Sequence, residues 1–177
     1  TKFTFLANKS EFLTFQSYLN QATRSRYTHA YDQLTSLTQL IYDSWQAGEF
    51  MTPMSSFGVE RKPNSSHYTK PIVVLIDQYS GSGGDAFPAM MQGLGRAKLF
   101  GTTTSGLGGH VVSLPPLAQS GISYRMTRSL FYRPDGTAIE NNGAEPDRPY
   151  EITRDDFMNQ YRDYQKEYTA YLLSLLP

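Results

Sequence analysis

The stretch that most constrains this chain is Pro71-Ile72-Val73-Val74-Leu75-Ile76, followed at once by Asp77-Gln78-Tyr79-Ser80-Gly81-Ser82-Gly83-Gly84. Residues 71–76 are apolar and rich in β-branched side chains, which predicts a buried strand. The run stops abruptly in small and polar residues, and Asp85-Ala86-Phe87-Pro88-Ala89-Met90-Met91 then opens an amphipathic helix. A strand, a tight glycine turn and a helix make the geometry of a nucleophile elbow, in which one hydroxyl stands exposed beside backbone N–H groups and a helix N-terminus. Ser82 is the candidate nucleophile. Its neighbours Gly81 and Gly83 allow strained backbone angles and close approach of a carbonyl. The Gly83 N–H, directly after the hydroxyl, is the candidate oxyanion donor. The same spacing also suits a glycine-rich αβ connection with no chemistry. A phosphate-binding loop fits less well, because the Gly-Lys-Ser/Thr ending and the full dinucleotide fingerprint are missing.

Further blocks follow in order: Leu94-Gly95-Arg96-Ala97-Lys98-Leu99-Phe100-Gly101, Thr104-Ser105-Gly106, Phe131-Tyr132-Arg133-Pro134-Asp135-Gly136 and Glu140-Asn141-Asn142-Gly143-Ala144-Glu145-Pro146-Asp147. Together with the elbow they resemble the carboxyl-terminal-processing and tricorn-core serine protease family, over about residues 70–153. The resemblance implies an α/β fold with a ClpP/crotonase-like protease core, of which this chain looks like the C-terminal half. It implies a serine endopeptidase that cleaves peptides or unfolded proteins through an acyl-enzyme, with no metal or organic cofactor.

The family has two catalytic styles. The tail-specific branch pairs its Ser with a Lys in a Gly-Lys-Gly setting, and the matching position here is Leu107, within Ser105-Gly106-Leu107-Gly108. Leucine cannot accept a proton. The tricorn and chlamydial protease-like activity factor branch uses Ser, His and Glu, with the Glu opening the Glu-Asn-x-Gly-x-x-Pro-Asp block at a separation that Glu140 matches. The resemblance therefore assigns Ser82 as nucleophile, Glu140 as the carboxylate that orients the imidazole, and Gly83 as an oxyanion donor. The base His and a second, glycine-rich oxyanion block lie upstream in the family, and neither appears in residues 1–70. An upstream half of the same protein is thus expected to supply the base. Of the three histidines, His110 on a short strand after the glycine loop is the internal alternative. His67 is expected in an exposed loop and His29 on a half-exposed helix face.

With 177 residues, a single real core is the natural expectation. Sixteen basic residues balance 16 acidic ones, so nothing points to a nucleic-acid partner. The absence of cysteine excludes disulfides, a thiol nucleophile and Cys-based metal sites. No apolar run reaches the roughly 18 residues of a membrane span. The 13 tyrosines suit surfaces that meet extended peptide or another chain, and ordinary packing equally. A homo-oligomer is compatible with this composition. The resemblance favours an exported or periplasmic location over a cytoplasmic one.

Along the chain, residues 1–6 alternate as a short strand. Ser10 is an N-cap candidate before Phe12, Phe15 and Leu19 at helical spacing. A second amphipathic pattern runs through Tyr27, Tyr31, Leu34, Leu37, Ile41 and Trp45 to a stop at Gly48. The aromatic stripe predicts core packing, and residues 51–70 a Pro/Ser/Asn-rich loop. Pro88 fits the first turn of its helix, and 97–101 forms the next strand of a parallel strand–helix–strand unit. Strands at 110–114 and 121–132 lead to the turn Arg133-Pro134-Asp135-Gly136. Residues 153–176 are expected as one terminal helix with a Thr153/Asp156 capping box. The organisation expected is a helical lead-in and loop (1–69), a protease core (70–153) and a C-terminal helix (154–177). The alternative function is a non-catalytic ligand- or peptide-binding member of the same fold.

Overall fold

The computed structural model describes residues 2–25, 28–56 and 64–177. Tyr27 and the middle of the 51–70 loop lie outside the described residues, as does the side chain of His29. In chain order the elements are β1 (Lys2–Phe5), α1 (Lys9–Ser25), α2 (Thr28–Gln46), β2 (Ser55–Ser56), β3 (Val73–Ile76), α3 (Gly83–Gly93), β4 (Lys98–Gly101), β5 (Gly109–Leu114), β6 (Tyr124–Tyr132), β7 (Arg148–Pro149), α4 (Arg154–Met158) and α5 (Arg162–Ser174). The fold is α/β. It divides into two compact units, one from Thr1–Glu60 with Gly109–Phe131, the other from Arg61–Gly108 with Tyr132–Pro177.

The first unit carries a four-stranded sheet in the order β2-β1-β6-β5, with the α1–α2 hairpin. Asn8 Oδ1 accepts the Glu11 N–H at 2.9 Å, so Asn8 performs the capping expected of Ser10, which instead lies inside the first turn. α2 ends where predicted: Gly48 has φ +77°, and the Gly48 and Glu49 N–H groups donate back to Trp45 and Ser44, a glycine stop. The helical stripes bury Phe15, Leu34, Leu37 and Ile41 together with Phe5 of β1. The aliphatic positions are core as expected, whereas of the aromatic positions on α2 Trp45 is half-buried and Tyr31 is exposed. Arg128 of β6 pairs with Glu11, which is only 3% exposed. Burial pushes the Glu11 carboxyl up against the opposing pull of Arg128.

The second unit carries the parallel sheet β3-β4-β7. β3 and β4 run in register from Val73 beside Lys98 to Ile76 beside Gly101, and α3 connects them as the predicted parallel unit. α3 begins at Gly83 rather than Asp85, so Pro88 falls in its second turn. Leu99, Phe100 and Ile139 are fully buried. Phe100 stacks on Tyr150 at 5.4 Å between ring centroids and meets Tyr164, Tyr168 and Tyr171 of α5 within 6.4 Å, so the terminal helix docks on its own unit through these rings.

The C-terminal segment is not one helix. The Thr153/Asp156 capping box forms, but Gln160 and Tyr161 both take φ 58° and separate α4 from α5. Asp156 accounts for the break: its carboxylate, 2% exposed as a residue, accepts the Tyr150 hydroxyl at 2.9 Å and the Tyr164 N–H at 3.2 Å. The start of α5 is thereby tied to the cap of α4. Among the described residues no helix is long and apolar enough to cross a membrane.

Candidate active site

The site is built from the second unit alone. β3 delivers the chain to Asp77, whose carboxylate accepts the Tyr79 N–H and the Ser80 hydroxyl, each at 3.0 Å. This local turn sets the entry to the glycine run. Ser82 then adopts φ 55°, ψ −105°, a combination that a residue with a Cβ enters only when its surroundings impose it. Its carbonyl accepts the Asp85 and Ala86 N–H groups at 3.0 and 2.9 Å, closing the first turn of α3. Its side chain makes no capping bond and is exposed. The hydroxyl stands at the N-terminus of α3, where the first backbone N–H groups have no helical partner. Among the described residues nothing accepts a hydrogen bond from the Gly83 N–H.

Glu140 sits in a turn held from several sides. The Asn142 and Gly143 N–H groups return to the carbonyl of buried Ile139 at 3.0 and 2.9 Å. The Asn142 amide reaches the Ala138 and Glu140 carbonyls, and Arg133 donates to the Gly143 carbonyl. Asn141 takes φ 61°. Glu140 itself is partly exposed, and among the described residues its carboxylate has no ion-pair partner.

A strip of chain, residues 104–108, lies between the elbow and this turn. A Cβ on Gly81 would come within 2.9 Å of Leu107 Cδ1, and one on Gly108 would fall 2.3 Å from the Glu140 backbone nitrogen. Ser105 N–H donates to the Ser80 carbonyl at 2.9 Å, and Asn141 N–H to the Gly106 carbonyl at 2.8 Å. Ser82 and Glu140 therefore flank the same strip. Leu107, expected to exclude a Ser–Lys pair, is 58% exposed and rests on the elbow.

One buried residue of this arrangement has no role in the sequence reading. Asp85, on the first turn of α3, is fully buried and accepts the Thr104 hydroxyl at 2.5 Å, the Gly106 N–H at 2.8 Å and the Leu107 N–H at 3.0 Å. In the sequence an acidic residue there is an ordinary complement to the helix dipole, and nothing local signals its burial. Asp147, the end of the Glu140 block, serves as a brace. Its carboxylate accepts Lys98 Nζ and the Leu99 N–H at 2.8 Å and the Gln92 amide at 3.0 Å. Burial raises its carboxyl, and these bonds outweigh burial to hold it below the usual range.

Beside the elbow, at the carboxyl ends of β3 and β4, a cavity of about 320 Å³ is lined by Asp77, Tyr79, Thr102, Tyr150, Glu151 and Tyr164 among others. In open parallel sheets this end is where ligands bind. Burial and its bond to Asp156 push the Tyr150 hydroxyl up to about 12. Of the histidines, His110 lies on β5 opposite Ser129 in the first unit and is exposed. His67 is exposed, with Nδ1 3.0 Å from the Asn64 carbonyl oxygen.

Comparison with known proteins matches the model of peptidase family S41 to residues 5–150. The match begins in β1 and so takes in the helical hairpin that local sequence did not tie to the family. A Chlamydia pneumoniae protein is 35% identical over 154 residues, covering 84% of this chain and 25% of its own length. A carboxy-terminal-processing protease of Bartonella bacilliformis is 38% identical over 78 residues, 44% of this chain and 18% of that protein. Among solved structures, mature CPAF (the chlamydial protease-like activity factor) complexed with lactacystin superposes with a TM-score of 0.81 at 24% identity, over 98% of this chain and 38% of that one. The chain thus shares the fold of CPAF and spans about a quarter of the length of the chlamydial relative. From the family match over most of its length, the chain belongs to peptidase family S41.

Proposed function

We propose that this chain carries the nucleophile, an oxyanion donor and the orienting carboxylate of a Ser-His-Glu serine endopeptidase acting on peptides or unfolded proteins. The observation that carries the reading is Ser82: strained backbone, exposed hydroxyl without a capping bond, and a helix N-terminus directly behind it. A serine whose only duty was to cap α3 would turn its oxygen onto the helix. Family membership supplies the reaction class.

In this reading Ser82 Oγ attacks the substrate carbonyl carbon as its proton passes to a histidine from a region outside this chain. The Gly83 N–H stabilises the oxyanion, and removing one such donor typically costs on the order of 2.7–4 kcal/mol in the barrier. The tetrahedral intermediate expels the amine, which takes the proton from the imidazolium, and water later hydrolyses the acyl-enzyme. Glu140, without an ion-pair partner among the described residues, holds the imidazole in the reactive tautomer. An upstream half of the same protein as source of the base, self-association and an exported or periplasmic setting belong to the same proposal.

The test is labelling by a fluorophosphonate serine probe of the intact gene product, of its Ser82→Ala and Glu140→Gln variants, and of the 177-residue chain alone. Labelling of the intact protein, lost in Ser82→Ala and strongly slowed in Glu140→Gln, is expected. Labelling of the chain alone would place the base inside it, with His110 the candidate. An intact protein inert to the probe would refute the protease reading in favour of a non-catalytic binding member of the fold.

A further inference from the structure

Asp85 is the most deeply buried ionisable side chain near the elbow, with no exposed surface, and no cationic side chain meets it in any ion pair among the described residues. Burying a carboxylate in that way is costly unless hydrogen bonds replace its water. Three do, and all three come from one segment: the Thr104 hydroxyl at 2.5 Å, the Gly106 N–H at 2.8 Å and the Leu107 N–H at 3.0 Å. That segment also faces the Glu140 turn. The Thr104 hydroxyl, while donating to Asp85, accepts the Ala144 N–H at 2.7 Å. The Thr104 N–H donates to the Ala144 carbonyl at 3.1 Å, and the Gly106 carbonyl accepts the Asn141 N–H at 2.8 Å. Asn141 and Ala144 bracket the turn that begins at Glu140.

A continuous chain of hydrogen bonds therefore runs from the first turn of the nucleophile's helix, through 104–107, to the residues around Glu140. Ser82 and Asp85 are locked together on that turn, since the Asp85 N–H donates to the Ser82 carbonyl at 3.0 Å. We infer that Asp85, acting through the Thr104 hydroxyl, is a positioning residue that sets the register of Glu140 against Ser82. The inference rests on the proposed roles of Ser82 and Glu140. Asp85 touches no reacting atom. Its effect is geometric, and the catalytic residues it aligns are on opposite sides of the strip it holds.

Two variants separate this role from a simple contribution to folding. Asp85→Asn keeps the shape but turns a donor toward groups that are all donors. Thr104→Val removes the relaying hydroxyl at nearly constant volume, and Thr104→Ser restores it. In the intact gene product, kcat per folded molecule, KM and the rate of fluorophosphonate labelling are measured at a temperature where each variant is folded by circular dichroism. A misplacement near 1 Å costs about 10²-fold in rate, so Asp85→Asn and Thr104→Val are expected to lose about that factor in kcat with KM changed less than about threefold, as for an interaction felt only in the transition state. Thr104→Ser is expected close to wild type. A merely structural role predicts activity that tracks the folded fraction, so unchanged kcat per folded molecule in Asp85→Asn and Thr104→Val would overturn the inference. If Asp85→Asn does not fold, the Thr104→Val and Thr104→Ser pair decides. Should the wild type prove inert to the probe, the proposed function falls and takes this inference with it; a wild type labelled at Ser82 with undiminished labelling of the variants sinks the inference alone.

Discussion

Replacing Ser82 by glycine should abolish activity and at the same time stabilise the protein. The backbone at Ser82 lies at φ 55°, ψ −105°, a region that strains any residue with a Cβ by about 1–3 kcal/mol. Glycine carries no such strain there, but it gains freedom in the unfolded chain, which removes about 0.4–1 kcal/mol. The hydroxyl makes no capping bond, so its loss leaves no buried donor or acceptor unpaired. The balance comes to about 1 kcal/mol in favour of Ser82→Gly over Ser82→Ala, which keeps the Cβ and hence the strain. At an ordinary loop position the order is reversed. Urea titration of the intact gene product and both variants measures it. With a slope of about 2–3 kcal/mol per molar, the Ser82→Gly midpoint should lie about 0.3–0.5 M above that of Ser82→Ala. A Ser82→Gly protein equal to or less stable than Ser82→Ala would show that the elbow stores no strain, and the strongest structural reason for naming Ser82 the nucleophile would go with it.

Two further outcomes follow from the second unit. Gly101 has φ +131°, and a Cβ there would fall 1.9 Å from the Ile76 carbonyl oxygen; since that contact is backbone in the paired strand, Gly101→Ala should cost more than about 3 kcal/mol and give little folded protein, whereas wild-type solubility would refute the packing of β3 on β4. Asp147 is held below the usual carboxylate range by Lys98, the Leu99 N–H and Gln92 against the opposing effect of burial, so its contribution is present above the unfolded Asp value of about 3.9 and is lost as pH falls through its lower folded value. Acid titration of stability should therefore be steeper below about pH 4 for the wild type than for Asp147→Asn, and identical slopes would show that the brace is not formed.

The parts of this fold legible in the sequence are those that local chemistry decides. The β-branched run before the glycines becomes β3, though of this strand, expected to be buried, only Ile76 is buried and Leu75 is 44% exposed; the Thr153/Asp156 pair becomes a capping box, and Gly48 ends α2, because each depends on a few adjacent residues. Asn8 displaced Ser10 as a cap for a reason equally local: its side chain reaches the Glu11 N–H, and the two candidates differ by only a fraction of a kcal/mol in capping preference, on the order of tenths. The break between α4 and α5 was not legible, since it depends on Tyr150, whose hydroxyl meets Asp156 from another element. Asp85 was illegible for the same reason. Its three donors come from residues 104, 106 and 107, and no periodicity within α3 marks a carboxylate that will be buried. At the candidate site, the strand, glycine turn and helix around Ser82 were legible from local sequence, which suits a connection without chemistry equally, while the proposal for Glu140 depended on a family likeness, because a carboxylate before Asn-Asn-Gly carries no local mark.

The placement of these groups also bears on what a general base would add to the proposed site. The backbone on both sides of Ser82 is fixed: Ser80 by the Ser105 N–H at 2.9 Å, Gly81 by the Gly84 N–H at 2.8 Å, and Ser82 by the Asp85 and Ala86 N–H groups. The strained residue is therefore held by the chain itself, and with it the Gly83 N–H proposed as oxyanion donor. Leu107 packs on Gly81, and an apolar side chain there neither accepts the Ser82 proton nor competes with an imidazole for it. On the proposed reading, what this chain supplies is already in position, and a single imidazole brought between Ser82 and Glu140 would complete the triad. A serine hydroxyl without a base is a weak nucleophile, so in that reading the strain and the buried frame around Asp85 fix the position of the hydroxyl while the imidazole supplies its reactivity.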